Sequence, residues 1–266
     1  MMWKEISATS WDRRIMHIPL PVDKLSFKDK DEVVSSDHLN KSDGQVFVVL
    51  VSTGSFNPPT VMHLRMFELA RDALNKEGYY VAGGYMSPVN DAYAKRGLIS
   101  ADHRIQMCEI ACQSSTFIMV DSWEAKQNSF QRTVLVLDRV RSFLTKNGIF
   151  SPESLKVMLL CGADLLESFA TLGVWIREQV RTICRDYGVV CICREGKDIN
   201  KIVCSDEILS EYKANILVVD KLVQDQISST LVRDSIKNGQ SINGLTPDDV
   251  IEYIQQHRLY LGENTQ

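Results

Sequence analysis

Six apolar residues in a row, Val46 to Val51, run into a loop of small and ring-constrained residues and then into a helical pattern; no other stretch restricts the fold as much. A strand with one wet face would carry a polar residue at every second place, so an unbroken run reads as a strand covered on both sides. Gly54 lets the backbone turn or come close to a ligand, Pro58 and Pro59 hold the chain extended, and from Thr60 the apolar period changes from two to roughly three and a half. His63 falls in the first turn of that helix. A strand that feeds a helix start through such a loop is a ready place for phosphate, because free backbone N–H groups and the helix dipole both favour an anion there.

The same grammar recurs along the chain. Apolar runs at Tyr79–Met86, Phe117–Asp121, Val157–Cys161, Val189–Cys193 and Ile216–Val219 alternate with helical spacing over Asp102–Cys112, Phe130–Leu144, the residues after Gly162 and Ile176–Tyr187. Helical patterns over Ser229–Asn238 and Val250–His257 close the chain, the latter with Thr246 as its cap and Pro247 as its first helical residue. This alternation predicts an α/β fold, a Rossmann-like doubly wound parallel sheet of about six strands. Residues 45–266 contain no repeat and no low-complexity linker and are expected to form one domain. Residues 1–44 mix Ser, Lys and Asp with scattered apolar residues and are expected to be a flexible segment. Its early acids Glu5 and Asp12 set it apart from an acid-poor organelle presequence.

With 266 residues, 44% of them hydrophobic, the chain has material for an ample core. A net charge of -4 and a pI near 5.8 exclude a generic binder of nucleic acid or of anionic membranes, so local basic residues must carry any phosphate chemistry. No apolar run approaches the length of a membrane span. The seven cysteines are odd in number and sit mostly in core-like runs, which points to reduced thiols and a cytoplasmic setting, with the nucleus as a second expected compartment. Cys191 and Cys193 share a strand face, but no second Cys/His pair completes a zinc spacing. A homo-oligomer is compatible with the sequence, which does not specify one.

Walker A, G-x-G-x-x-G after a strand, H-E-x-x-H and G-x-S-x-G are all missing, which sets aside simple ATPases, ordinary dehydrogenases, zinc proteases and serine hydrolases. Two phosphate-type loops remain. The first is Gly54-Ser55-Phe56-Asn57-Pro58-Pro59-Thr60 with His63. The second is Ser228-Ser229-Thr230 with Arg233, where hydroxyls and free N–H groups at a helix start would meet phosphate oxygens and the planar guanidinium would reach back to the same anion. A lone His in a helix is more often a satisfied side chain than a catalyst, and Ser-Ser-Thr before a helix is often only a cap. Their joint position at carboxyl ends of parallel strands gives the pair its weight. Gly162-Ala163-Asp164 is a third such turn, with an acid for a ribose hydroxyl; alone it is an ordinary helix start.

GSFNPPTVMH, SPVNDAY-x-K-x-G, the Trp of VDSWE, CGADLLESF, ISST-x-x-R, GQSI and EYIQQHRLY, in that order from about Val46 to Leu261, closely resemble eukaryotic-type nicotinamide mononucleotide adenylyltransferases of the nucleotidyltransferase superfamily. The resemblance implies the nucleotidyltransferase fold and transfer of AMP from ATP to nicotinamide mononucleotide, and to nicotinate mononucleotide, giving NAD or its deamido form and pyrophosphate. It implies His63 and Arg233 as catalytic residues, and Gly54, Ser55, Phe56, Thr60, Gly162, Asp164, Ser228, Ser229 and Thr230 as further ATP and phosphate contacts. Ser55, Tyr93, Lys95, Trp123 and Trp175 would hold the mononucleotide, the two indoles gripping its electron-poor ring. Mg²⁺ would arrive on ATP, with no ligand from protein side chains. Bacterial-type relatives carry His where this chain has Thr60, so His63 would act alone. Lys146 to Leu155 is short and lacks the basic cluster that serves nuclear import in some members. The rival is a catalytically silent, chaperone-like nucleotide-binding protein on the same fold.

Overall fold

Val48 and Leu50 pack into one helical layer and Val49 and Val51 into the other, and all four are fully buried. This two-sided burial follows from the two-residue period of a strand and makes β1 (Phe47–Gly54) the centre of the fold. The structure is a computed structural model that describes residues 18–27, 44–194, 198–223 and 227–261. After β1 come α1 (Val61–Lys76), β2 (Tyr80–Pro88), α2 (Ala101–Cys112), β3 (Ile118–Val120), α3 (Thr133–Lys146), β4 (Leu155–Gly162) and α4 (Ala163–Phe169). The second half adds α5 (Arg177–Thr182), β5 (Val189–Arg194), α6 (Ile199–Ser205), α7 (Glu207–Glu211), β6 (Ile216–Val223), α8 (Ser229–Lys237) and α9 (Asp248–Gln256). The six strands pair in parallel in the order β3-β2-β1-β4-β5-β6. The order of the strands switches direction between β1 and β4, and the carboxyl ends of those two parallel strands flank the crevice where doubly wound sheets bind ligands.

The six expected strands are present, several longer than their apolar runs. β1 continues three residues past Val51, through Gly54, because it pairs with β2 as far as Pro88. Two adjacent glycines of β2 show how tightly the layers close. A Cβ on Gly83 would lie 2.6 Å from Leu25 on one face, and a Cβ on Gly84 would lie 2.6 Å from the Phe67 ring of α1 on the other. The helices α6 and α7 are not anticipated by the sequence reading: at seven and five residues they are too short to show a period. Their signals are the caps, with Asp198 accepting from the Lys201 N–H and Asp206 from those of Ile208 and Leu209.

Two expectations are corrected. Part of the supposedly flexible segment, Ile18–Phe27, is a packed strap, with Leu20 and Leu25 buried in the core. The Ser26 N–H donates to the Ala82 carbonyl at 2.9 Å, Tyr85 Oη to the Pro21 carbonyl at 2.7 Å, and Lys24 Nζ to the carbonyls of Cys112 and Ile118 at 2.7 and 3.2 Å. Short, irregular segments like this hold by contacts far away in sequence, which no local period reports. The rest of 1–44, apart from Gly44, lies outside the described residues. The second correction concerns α9, which begins at Asp248 with Pro247 in the cap position. Thr246 is buried and donates its hydroxyl to the Pro59 carbonyl at 2.7 Å.

Just beyond β3, Glu124 is 2% exposed, and its Oε2 has no hydrogen-bond partner. Burial, reinforced by the nearby Asp121 and opposed by Arg104, pushes its carboxyl from 4.5 up to about 8. Between those values the folded chain holds a proton that the unfolded chain has released, so stability falls as pH rises through the window. Urea titrations at pH 5.5 and 8.5 test this: the wild-type midpoint is expected to drop with pH, and Glu124→Gln to remove most of the drop.

Candidate active site

The loop after β1 is held from three directions, each hold on a consecutive carbonyl. Arg233 of α8 donates to the Asn57 carbonyl at 2.8 Å, Ser229 Oγ to the Pro58 carbonyl at 2.7 Å and Thr246 Oγ1 to the Pro59 carbonyl. The two phosphate-type loops, far apart in sequence, are therefore one structure. Asn57, fully buried, extends it: its Nδ2 donates to the Gly97 carbonyl at 2.8 Å, and its Oδ1 accepts from Tyr260 Oη at 2.8 Å. The Asn57–Pro58 peptide is cis.

His63 is oriented by Thr60. The Thr60 backbone N–H donates to His63 Nδ1 at 2.9 Å, and Thr60 Oγ1 lies 2.8 Å from the same nitrogen. A backbone N–H only donates, so Nδ1 is the acceptor and the neutral ring carries its proton on Nε2. The ring also meets the Phe56 ring edge-on at 5.1 Å between centroids. Thr60 is fully buried, and its hydroxyl lies against His63. Ser229 donates its hydroxyl proton to the Pro58 carbonyl. Ser228 Oγ accepts from the Leu231 N–H as the cap of α8, and Thr230 Oγ1 accepts from Arg233 at 3.3 Å. Gly54 is packed under the Phe56 ring. Gly162 starts α4 at the end of β4, and Asp164 lies exposed in the first turn.

Positive charge converges beside this loop. Lys95 Nζ donates to Ser55 Oγ at 2.9 Å. Its pKa is lowered from the ordinary lysine value by partial burial first and then by the charges of Arg233 and Arg104. Like charges held this close are relieved by an anion between them. Arg104, with a side chain 0% exposed, ties Ser55 to the loop that carries Lys95: it donates to the carbonyls of Ile99, Ser55 and Val89 at 2.9, 3.1 and 2.7 Å and to Asp91 Oδ1 at 2.8 Å. Neither Asn57 nor Arg104 stands out in the sequence. An Asn before two prolines was the available hint for the first, whereas an Arg on a helix ordinarily reads as solvated.

The aromatic residues are placed differently from one another. Tyr93 is 42% exposed and stacks on Phe130 at 5.7 Å. Trp123 is 5% exposed, with the Arg139 guanidinium 5.3 Å from its ring centroid. Trp175 donates its indole N–H to Ser168 Oγ at 2.9 Å and packs edge-on against Phe169. Both indoles adjoin the same core layer, Trp123 on the loop after β3 and Trp175 on the connection between α4 and α5. All seven cysteines are free thiols; six are buried, and burial raises several, Cys112 to about 12. Among the described residues no three or more of His, Cys, Asp and Glu are gathered as a metal site.

Residues 51–235 match the family described as Cytidylyltransferase-like. The chain is 58% identical over 245 residues to the nicotinamide/nicotinic acid mononucleotide adenylyltransferase of Arabidopsis thaliana, covering 92% of this chain and 98% of that one. It belongs to the eukaryotic-type nicotinamide/nicotinic acid mononucleotide adenylyltransferase family. The Bos taurus nicotinamide/nicotinic acid mononucleotide adenylyltransferase 1 is 40% identical over 252 residues, with 82% of this chain and 90% of the other covered. The structure of Plasmodium falciparum nicotinic acid mononucleotide adenylyltransferase complexed with NaAD shares the fold, with a TM-score of 0.57 at 19% identity over 80% of this chain and 97% of that one.

The loop after β1, with His63, Lys95 and Arg233 around it, lies where the strand order of the sheet switches. A separate cavity of about 300 Å³ opens between α8 and α9, lined by Ile236, Gln240, Ile242, Ile254 and Leu259. It contains none of the residues expected to bind substrate and only one charged side chain, Arg258, whereas His63, Lys95 and Arg233 gather at the loop after β1. Lys95 offers a test there. The Michaelis constant for the mononucleotide is expected to rise with pH as Lys95 loses its proton, beginning below the range of an ordinary lysine. Lys95→Arg is expected to flatten that rise, which a pH series of initial rates measures.

Proposed function

We infer that this protein transfers the adenylyl group of ATP to the phosphate of nicotinamide mononucleotide or nicotinate mononucleotide, forming NAD or its deamido form with release of pyrophosphate. Its membership of the adenylyltransferase family supports the reaction class. The observation that carries the residue assignments is the convergence of His63, Lys95 and Arg233 on one clamped loop at the sheet's switch point.

An oxygen of the mononucleotide phosphate attacks the α-phosphorus of ATP, a new P–O bond forms, and the bond to the β-phosphate oxygen breaks. The nucleophile is already an anion, so no general base has to be supplied; the residues position the reactants and stabilise spreading charge. His63 donates from Nε2 to an α-phosphate oxygen, with Thr60 holding the ring in the tautomer that keeps a donor there. Arg233 and the start of α8 take the β- and γ-phosphates. Lys95 and Ser55 hold the acceptor phosphate, Asp164 and Gly162 the adenosine ribose, and Tyr93, Trp123 and Trp175 the pyridine ring. Mg²⁺ would be carried in on the triphosphate rather than held by protein side chains, and when bound would supply neutralisation of the charge on the leaving pyrophosphate.

Purified protein incubated with ATP, Mg²⁺ and each mononucleotide in turn is expected to release pyrophosphate in equal amount to the dinucleotide formed. Failure with both acceptors overturns the reading.

A further inference from the structure

The strap Ile18–Phe27 lies outside residues 51–235, the part that matches the wider family, yet it is wired to a wall of the pyridine subsite. Arg139 of α3 donates one guanidinium nitrogen to the Ile18 carbonyl and another to Asp121 Oδ2 at 2.7 Å. Asp121 has a side chain 0% exposed, and its other oxygen accepts the backbone N–H of Trp123 at 3.1 Å. The same guanidinium sits over the Trp123 indole. Both ends of this relay are fixed. The Asp121 N–H donates to the Met86 carbonyl at 2.9 Å, and the strap is tied to β2, β3 and α2 through Ser26, Tyr85 and Lys24. Leu25 of the strap fills the space that a Cβ on Gly83 would need, so β2 accommodates the strap in its own sequence.

We propose that the strap sets the mononucleotide subsite by acting through Arg139 and Asp121 on Trp123, which makes Arg139 a positioning residue for the acceptor ring. The proposal rests on the reading of Trp123 as a wall of that subsite. The planar fork is what lets one side chain hold the strap carbonyl, the carboxylate and the indole face together; an ammonium group cannot make all three contacts. Asp121 balances the guanidinium charge, so the indole is left able to stack on a cationic ring. Loss of the relay frees the Trp123 backbone to move, and displacement of a positioning wall is felt in binding of the ligand it contacts.

The test is steady-state kinetics on the full chain with ATP and nicotinamide mononucleotide. The charge-neutral pair Asp121→Asn with Arg139→Gln is expected to raise KM for the mononucleotide roughly 10-fold while KM for ATP changes less than about 2-fold. Lys24→Met, which loosens the strap, is expected to raise the mononucleotide KM roughly 3-fold in the wild type and to add nothing in the pair variant, since coupled residues are not additive. If the pair does not fold, Arg139→Lys takes its place, with an expected rise of roughly 3-fold. Parallel changes in both KM values, or an additive effect of Lys24→Met, would mean that the relay is structural only and would overturn the proposal. Trp123→Ala separates the two levels of inference. An unchanged mononucleotide KM in that variant refutes the wall itself and the proposal with it, whereas a raised KM there beside an unchanged one in the pair refutes only the relay.

Discussion

His63→Ala is expected to lower kcat at least ~100-fold, the scale of removing one preorganised donor from developing charge. The same change also strips Thr60 of the acceptor for its backbone N–H, so some stability is lost with the rate, on the order of 1 kcal/mol for a lost helix cap. His63→Asn separates the two effects. Its shorter side chain keeps an acceptor near the position of Nδ1 and nothing at the position of Nε2, so stability is expected to return while the rate stays low. Initial rates and thermal melts on the three proteins decide the matter. A variant that recovers both would place the role of His63 in capping rather than in catalysis, and a His63→Ala protein with wild-type turnover would favour the rival reading of a chaperone-like protein.

Arg104→Met is expected to cost about 3–5 kcal/mol, because a fully buried guanidinium is removed from three carbonyls and one carboxylate that it satisfies. For a chain of this size the melting temperature would fall by about 10 °C. The effect is expected to reach the site as well, since Arg104 joins the Ser55 loop to the segment that carries Tyr93 and Lys95. Below the new melting temperature, the mononucleotide KM should therefore rise. Arg104→Lys is expected to recover little, as one ammonium cannot serve four acceptors arranged around a planar fork. A melting temperature within 2 °C of wild type would refute this account.

The sequence makes local relations legible. The six-residue apolar run, the change of period at Thr60 and the recurrence of that pattern specify a parallel sheet with both faces covered, because strand and helix periods are properties of neighbouring residues. Ser228 to Arg233 and Gly54 to His63 were each recognisable as phosphate-type helix starts for the same reason. The resemblance to the adenylyltransferases, carried by ordered motifs along the chain, supplied the reaction.

What the sequence could not show is which partner each polar group takes when the loops are brought together. Thr60 and Ser229 read as helix-start hydroxyls, and only the fold pairs one with His63 and the other with the Pro58 carbonyl. Arg104 carries no local signal, and its side chain is fully buried against the carbonyls of Ser55, Val89 and Ile99. The strap looked like tail and is held by hydrogen bonds to residues 54 to 121 positions away. The sequence by itself determined the sheet, its order of elements and the two loops that define the family, since those depend on periodicity and motif. Only the tertiary structure decided how the loops are clamped and how the strap reaches Trp123, because a buried polar group must find a partner and that partner is selected by three-dimensional proximity.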